Sequence, residues 1–66
     1  MKIMINGKPH ECSKGCSVQD LLSDMKIIPD QVAIVLNEEV LPAKRRPYVV
    51  LREGDKIEIL TLAAGG

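Results

Sequence analysis

Hydrophobic positions along this chain fall into short runs separated by turn residues, and the spacing within each run predicts its conformation. The opening run over 1–6, Met-Lys-Ile-Met-Ile-Asn, reads as a strand. Asn6-Gly7 is the preferred pair for a two-residue hairpin turn, because both positions need positive φ. Residues 9–12 then return as a second strand, with Pro9 at its start, where a missing N–H is tolerated. Ser17 is placed to cap a helix, with Asp20 three residues on as the reciprocal partner of a capping box. Val18, Leu21, Leu22 and Met25 follow at i, i+3, i+4 and i+7, so one face of a short helix is apolar. Pro29 limits its extent, and Lys26 falls at the negative end of its dipole.

The run Val-Ala-Ile-Val-Leu over 32–36 has the length and continuity of a strand buried on both faces. Asn37-Glu38-Glu39 turns the chain into a short edge strand at Val40-Leu41, stopped by Pro42. A polar connection over 44–47, a brief strand over 48–51, and a Glu53-Gly54-Asp55 turn lead to the last strand, 56–62. With first and last strands side by side, this order predicts an α+β roll of the β-grasp kind, a mixed sheet with one main helix packed on one face. Residues 1–62 form that domain, and 63–66 form a flexible tail.

In the last strand, Ile57 and Ile59 alternate with Lys56 and Glu58, as a half-buried strand requires. Leu60 and Leu62 share the parity of Lys56 and Glu58, so period-two geometry turns them away from the helix-covered core. Cover from the 44–47 connection, or a bulge, is one explanation. The other is an exposed apolar patch used for docking a partner.

Size and charge narrow the classes. The 66 residues allow one domain, and with one Tyr, no Phe and no Trp its core is built from Ile, Leu, Val and Met. A formal net charge of zero without stacking aromatics argues against nucleic-acid binding. No apolar run has the length of a signal peptide or a membrane span, so the expected compartment is the cytoplasm, where Cys12 and Cys16 are thiols.

The chain ends Ala63-Ala64-Gly65-Gly66. Without a Cβ, terminal glycines let the backbone enter a narrow channel, and the last carboxylate is ionised at neutral pH. The order of Asn6-Gly7-Lys8, the capped helix over 17–25, the strand leading into Asn37-Glu38-Glu39-Val40-Leu41-Pro42, the segment Arg52-Glu53-Gly54-Asp55-Lys56-Ile57-Glu58-Ile59 and the terminal diglycine resembles the ubiquitin-like sulfur carriers of the ThiS/MoaD type, closest to their thiamine-biosynthesis branch. The likeness covers essentially the whole chain.

That resemblance implies a carrier rather than an enzyme. A ThiF-like adenylyltransferase would convert the Gly66 carboxylate to an acyl-adenylate. Sulfur drawn from cysteine through a cysteine desulfurase would displace AMP to leave a thiocarboxylate. A thiazole synthase would then take the sulfur for the thiamine thiazole. No cofactor is bound, since MgATP is used by the activating partner. Gly66 is the modified terminus, Gly65, Ala64 and Ala63 keep the tail thin, and Leu60 and Leu62 are the expected docking residues. Other destinations (molybdopterin, cysteine or another metabolite) belong to the same family. A protein modifier or a plain interaction module is the alternative from a different class. The absence of Phe disfavours the molybdopterin branch, whose carriers are longer and include core aromatics.

The remaining candidates weigh less. His10 and Cys12 sit about 7 Å apart at i, i+2, too far for a nucleophile and its base. No second Cys/His pair completes a zinc site with His10, Cys12 and Cys16. Cys16 precedes the cap and can pack on Leu21 as a hydrophobic staple, or it can be acidified by the helix N-terminus for a redox role. Lys44-Arg45-Arg46 reads as a solvated connection, with contact to an acidic partner surface as the minor alternative. Tyr48 reads as partly buried.

Overall fold

The turn at Asn6-Gly7 forms with φ of 51° and 82°, the positive values that a two-residue hairpin demands. It joins β1 (Lys2–Ile5) to β2 (Lys8–Glu11), and Ile5 pairs with Lys8 across it. The computed structural model describes residues 1–62. After β2 the chain forms helix α1 (Val18–Asp24), a 3-10 turn (Pro29–Gln31), β3 (Val32–Leu36), β4 (Glu39–Leu41), a second 3-10 segment (Ala43–Tyr48) and β5 (Lys56–Thr61). The strands make one five-stranded sheet in the order β2-β1-β5-β3-β4. β5 lies at its centre, parallel to β1 and antiparallel to β3. This is the β-grasp arrangement. No helix among the described residues is long and apolar enough to cross a membrane.

α1 starts where the capping box places it. The Asp20 N–H donates to Ser17 Oγ at 3.0 Å, and the Ser17 N–H donates to Asp20 Oδ2 at 3.1 Å. It ends in a left-handed residue, Lys26 at φ 58°, whose N–H donates to Ser23 O while Ile27 N–H donates to Leu22 O. That paired closure is a Schellman motif. Lys26 therefore lies just past the helix and not in its last turn. Val18, Leu21 and Leu22 join Ile3, Ile5, Val32, Ile34 and Ile57 in one buried cluster. Each such side chain contributes about 1.5–3 kcal/mol of burial, which a domain this small needs. Met25 is 36% exposed, so the buried part of the apolar stripe is Val18, Leu21 and Leu22.

Tertiary structure departs from the pattern in three places. The 32–36 run is buried on one face only: Val32 and Ile34 are inside, while Ala33 and Val35 are half-buried, because among the described residues no second layer covers that side of the sheet. Residues 48–51 do not form a strand. A 3-10 segment occupies Ala43–Tyr48, and only Val50 makes a bridge, to Ser17. The basic run is not wholly solvated either, since Arg46 is buried. At three residues per turn, an inward Arg46 sends Tyr48, two residues later, outward. Tyr48 is 83% exposed instead of partly buried.

The β3–β4 hairpin closes through Asn37 and Glu38 at φ 49° and 71°. Asn37 is anchored there: its Oδ1 accepts from Lys56 N–H at 2.9 Å, and its Nδ2 donates to Asp55 Oδ1 at 3.0 Å. A glutamate has no comparable reason to adopt a left-handed conformation, which costs a side-chain residue about 1–2 kcal/mol. Glu38→Gly removes that cost against a smaller entropic loss. It should raise stability by about 0.5–1 kcal/mol, read as a higher urea midpoint. A lower midpoint would show that Glu38 makes a contribution outweighing its backbone strain.

Candidate functional site at the exit of the last strand

β5 carries the chain from the core to an exposed end. Ile57 is buried and Ile59 half-buried on the helix side, where they pair with Leu36 and Ile34 of β3. On the opposite face Glu58 pairs with Val35 and Leu60 with Ala33. Leu60 is 47% exposed and Leu62 48%, so the 44–47 connection does not cover them. The strand is continuous from Lys56 to Thr61, which leaves no bulge to explain their parity. Leu62 is held by its N–H donating to Gln31 O at 2.9 Å. The positions expected to do the chemistry, Ala63, Ala64, Gly65 and Gly66, lie outside the described residues.

Two side chains hold this end of the sheet, and sequence reasoning had assigned neither to it. β1 stops pairing with β5 at Ile57, yet β5 runs on for four residues. Asn6 extends the ladder with its side chain: Oδ1 accepts from Ile59 N–H at 2.8 Å, and Nδ2 donates to Ile59 O at 3.3 Å. The amide thus imitates one more residue of strand. On the other side Arg46 clamps the 3-10 turn that holds Leu62. Its Nη1 donates to Pro29 O and its Nη2 to Val32 O, both at 2.9 Å. Those carbonyls flank the turn that supplies Gln31 O. The residue types offered only a weak signal: Asn6 already had a turn to explain it, and Arg46 lay in a basic run.

The open face beside this exit is mixed in character. A shallow groove of about 610 Å³ runs along β5, lined by Met4, Asn6, Lys56, Glu58 and Leu60 among others. Val40 on the edge strand opposite Val35 is 75% exposed. Apolar contact area that also carries the positive Lys56 and the negative Glu58 suits a protein partner better than a small ligand in an enclosed pocket.

The thiols and His10 do not assemble with this exit. His10 is half-buried and pairs with Ile3 on the core side of β2. Cys16 is buried and belongs to the core cluster, as a residue before the helix cap can be. Burial pushes its thiol above the ordinary value, and nearby Cys12, Asp20 and Asp24 push it the same way. Acidification by the helix N-terminus, the basis for a reactive thiolate, is therefore outweighed. No three His, Cys, Asp or Glu side chains among the described residues are placed to share a metal ion.

Comparison with known proteins follows the whole chain. The model of the ThiS family matches residues 3–66. Among curated relatives, the uncharacterized protein ycf40 of Pyropia yezoensis is 38% identical over all of this chain and 93% of its own length. The sulfur carrier protein ThiS of Thermus thermophilus is 33% identical over 97% of this chain and 98% of its own. A thiazole synthase of Magnetococcus marinus is 36% identical over the full chain, which spans 20% of that longer protein. The crystal structure of the thiamine biosynthesis protein ThiS from Geobacter metallireducens superposes with a TM-score of 0.87 at 32% identity, each chain covered completely. A fold shared end to end, a family model spanning all but the first two residues, and a relative of matching length leave one assignment: this chain belongs to the ThiS family.

Proposed function

We propose that this ThiS-family sulfur carrier for thiamine biosynthesis works through its last carboxylate, with Gly66 as the atom-carrying residue. The observation that carries this reading is the position of the chain's exit. β5 delivers the backbone past Leu62 at an exposed end of the sheet, and the four residues that follow in sequence are Ala-Ala-Gly-Gly. Four extended residues span roughly 13 Å at about 3.3 Å each, enough to reach a partner's active site while the folded domain stays outside. Leu60 and Leu62 with the open sheet face then dock the partner, and their burial supplies association energy.

The chemistry needs nothing more from the carrier. The ionised Gly66 carboxylate attacks the α-phosphate of MgATP held by an adenylyltransferase, expelling pyrophosphate and forming an acyl-adenylate. The outer sulfur of a persulfide, formed from cysteine by a desulfurase, attacks the activated carbonyl and expels AMP. A thiol then attacks the inner sulfur of the resulting acyl disulfide, forming a disulfide and releasing the thiocarboxylate. The product is a Gly66 thiocarboxylate, which a thiazole synthase consumes. The Magnetococcus relative supports that last partner, because a sequence like this whole chain is part of a protein named thiazole synthase. Every catalytic group belongs to a partner, so this chain is a co-substrate and not a catalyst.

The test is intact mass after incubation with the adenylyltransferase, MgATP and a sulfur source. Replacement of one oxygen by sulfur, absent from a chain lacking Gly66, is the expected result. An unchanged mass, with the same enzyme loading another carrier in parallel, would refute the carrier chemistry. An isopeptide adduct on lysine would mark a protein modifier instead.

A further inference from the structure

At the end of the sheet opposite Leu62, the connection from β2 to α1 brings two thiols into one turn. Cys12 follows β2, and its N–H donates to Met1 O at 2.9 Å. The chain then reverses through Ser13, Lys14 and Gly15, and the Cys16 N–H donates to Ser13 O at 3.1 Å to close the turn. Gly15 has φ of 87°, the value that the third position of a type II turn requires. Both side chains pack on the same core cluster, Cys16 buried and Cys12 half-buried. Neither is bonded to another cysteine, and each is close enough to influence the other directly.

We propose that Cys12 and Cys16 form a reversible internal disulfide, a redox modification site that ties the end of β2 to the start of α1. The two positions differ in access, and that difference sets the order of events. Cys12 is the more exposed thiol, so its thiolate attacks a small-molecule disulfide such as oxidised glutathione. One glutathione thiolate leaves. Cys16 then loses its proton to solvent through the shallow polar cleft formed by Ser13, Asp20 and Ser23. Its sulfur attacks Cys12 Sγ in the mixed disulfide, the second glutathione thiolate leaves, and each departing thiolate takes up a proton. Two protein thiols are oxidised and one disulfide is reduced to two thiols. The folded turn acts by raising the effective concentration of Cys16 at Cys12, since it holds in place what a free chain must find by diffusion. The raised thiol at Cys16 makes the second step slow rather than forbidden. The bond forms away from the exit of β5, so oxidation leaves that end of the sheet free.

The experiment equilibrates the full chain in glutathione buffers of increasing oxidised fraction, quenches with acid, and measures intact mass and tryptic peptides. Trypsin cuts after Lys14 and so separates the two cysteines. Peptides 3–14 and 15–26 stay joined only if the internal bond has formed. The expected result is a monomer that has lost two hydrogens, with those peptides linked, and an equilibrium constant roughly tenfold higher in buffer than in urea. Cys16→Ser should instead stop at a glutathione adduct on Cys12. A wild-type chain that ends as that adduct, that cross-links to a second molecule, or that shows the same equilibrium constant in urea overturns the proposal.

Discussion

Gly65→Val should reduce loading of the terminal carboxylate by on the order of 10²-fold in kcat/KM, while leaving the domain's stability within about 0.5 kcal/mol of the parent. The two halves of this expectation come from different parts of the molecule. Position 65 lies beyond Leu62, whose bond to Gln31 O is the last described anchor of the chain, and among the described residues the buried cluster includes nothing later than Ile57. The substitution therefore changes none of the described core residues. Valine adds a branched Cβ next to the reacting residue, which widens the peptide and restricts its dihedrals where a partner's channel must admit it. Misplacing the carboxylate by an ångström is enough for a loss of this size. Gly65→Ala should fall between the two, because a methyl adds less width. The measurement pairs thiocarboxylate formation by mass with urea denaturation. Undiminished loading of the valine variant would remove the channel argument, and a large drop in stability would mean that the tail packs on the domain.

Arg46→Ala should destabilise the fold by about 2–4 kcal/mol, a large share of the few kcal/mol to be expected of a 66-residue domain. Arg46 is 6% exposed and gives two hydrogen bonds from a charged group to the carbonyls of Pro29 and Val32. Such bonds are each worth about 1.5–3 kcal/mol. Part of that is offset, because the guanidinium is itself buried, and its Nε has no partner among the described residues. Truncation to alanine removes both donors, strands two carbonyls and leaves a void between the second 3-10 segment and the turn at Pro29–Gln31. Arg46→Lys keeps the charge but has no planar fork to span two acceptors, so an intermediate loss is expected. Arg45, next along the chain and exposed, is the control: Arg45→Ala should change stability by less than about 0.5 kcal/mol. Equal effects at the two positions would show that the clamp is not what holds this turn. Because the same turn supplies Gln31 O to Leu62, loss of the clamp should also loosen the exit of β5.

The parts of the fold that were readable in advance depend on local chemistry. Asn6-Gly7 makes its hairpin because those two residues tolerate positive φ better than others. Ser17 and Asp20 close a capping box because both atoms involved lie within one turn. The parity of Leu60 and Leu62 pointed them away from the core, and both are exposed, Leu60 within a strand that runs without a bulge and Leu62 just past its end. Reading failed where the deciding partner was distant in sequence. Ala33 and Val35 looked as apolar as Val32 and Ile34, and only the lack of a second layer among the described residues put them on an open face. Tyr48 looked like a residue with a half-buried ring until the 3-10 path of its segment turned it outward.

By itself, then, the sequence determined not the 3-10 path over Ala43–Tyr48 but the order of the helix and the five paired strands, the hairpin turns, the helix cap, the polarity of the last strand and the small-residue terminus. All of these follow from dihedral preference, periodicity and contacts within a few residues. Tertiary structure alone decided that Arg46 is a buried clamp, that the Asn6 amide extends β5 as a substitute strand, and that Cys16 is a core residue with a raised thiol. In each case a polar group acquires its role from a carbonyl, an amide or a cluster many positions away. Hydrogen-bond satisfaction and desolvation are properties of the assembled neighbourhood, and they exist only after the chain has folded.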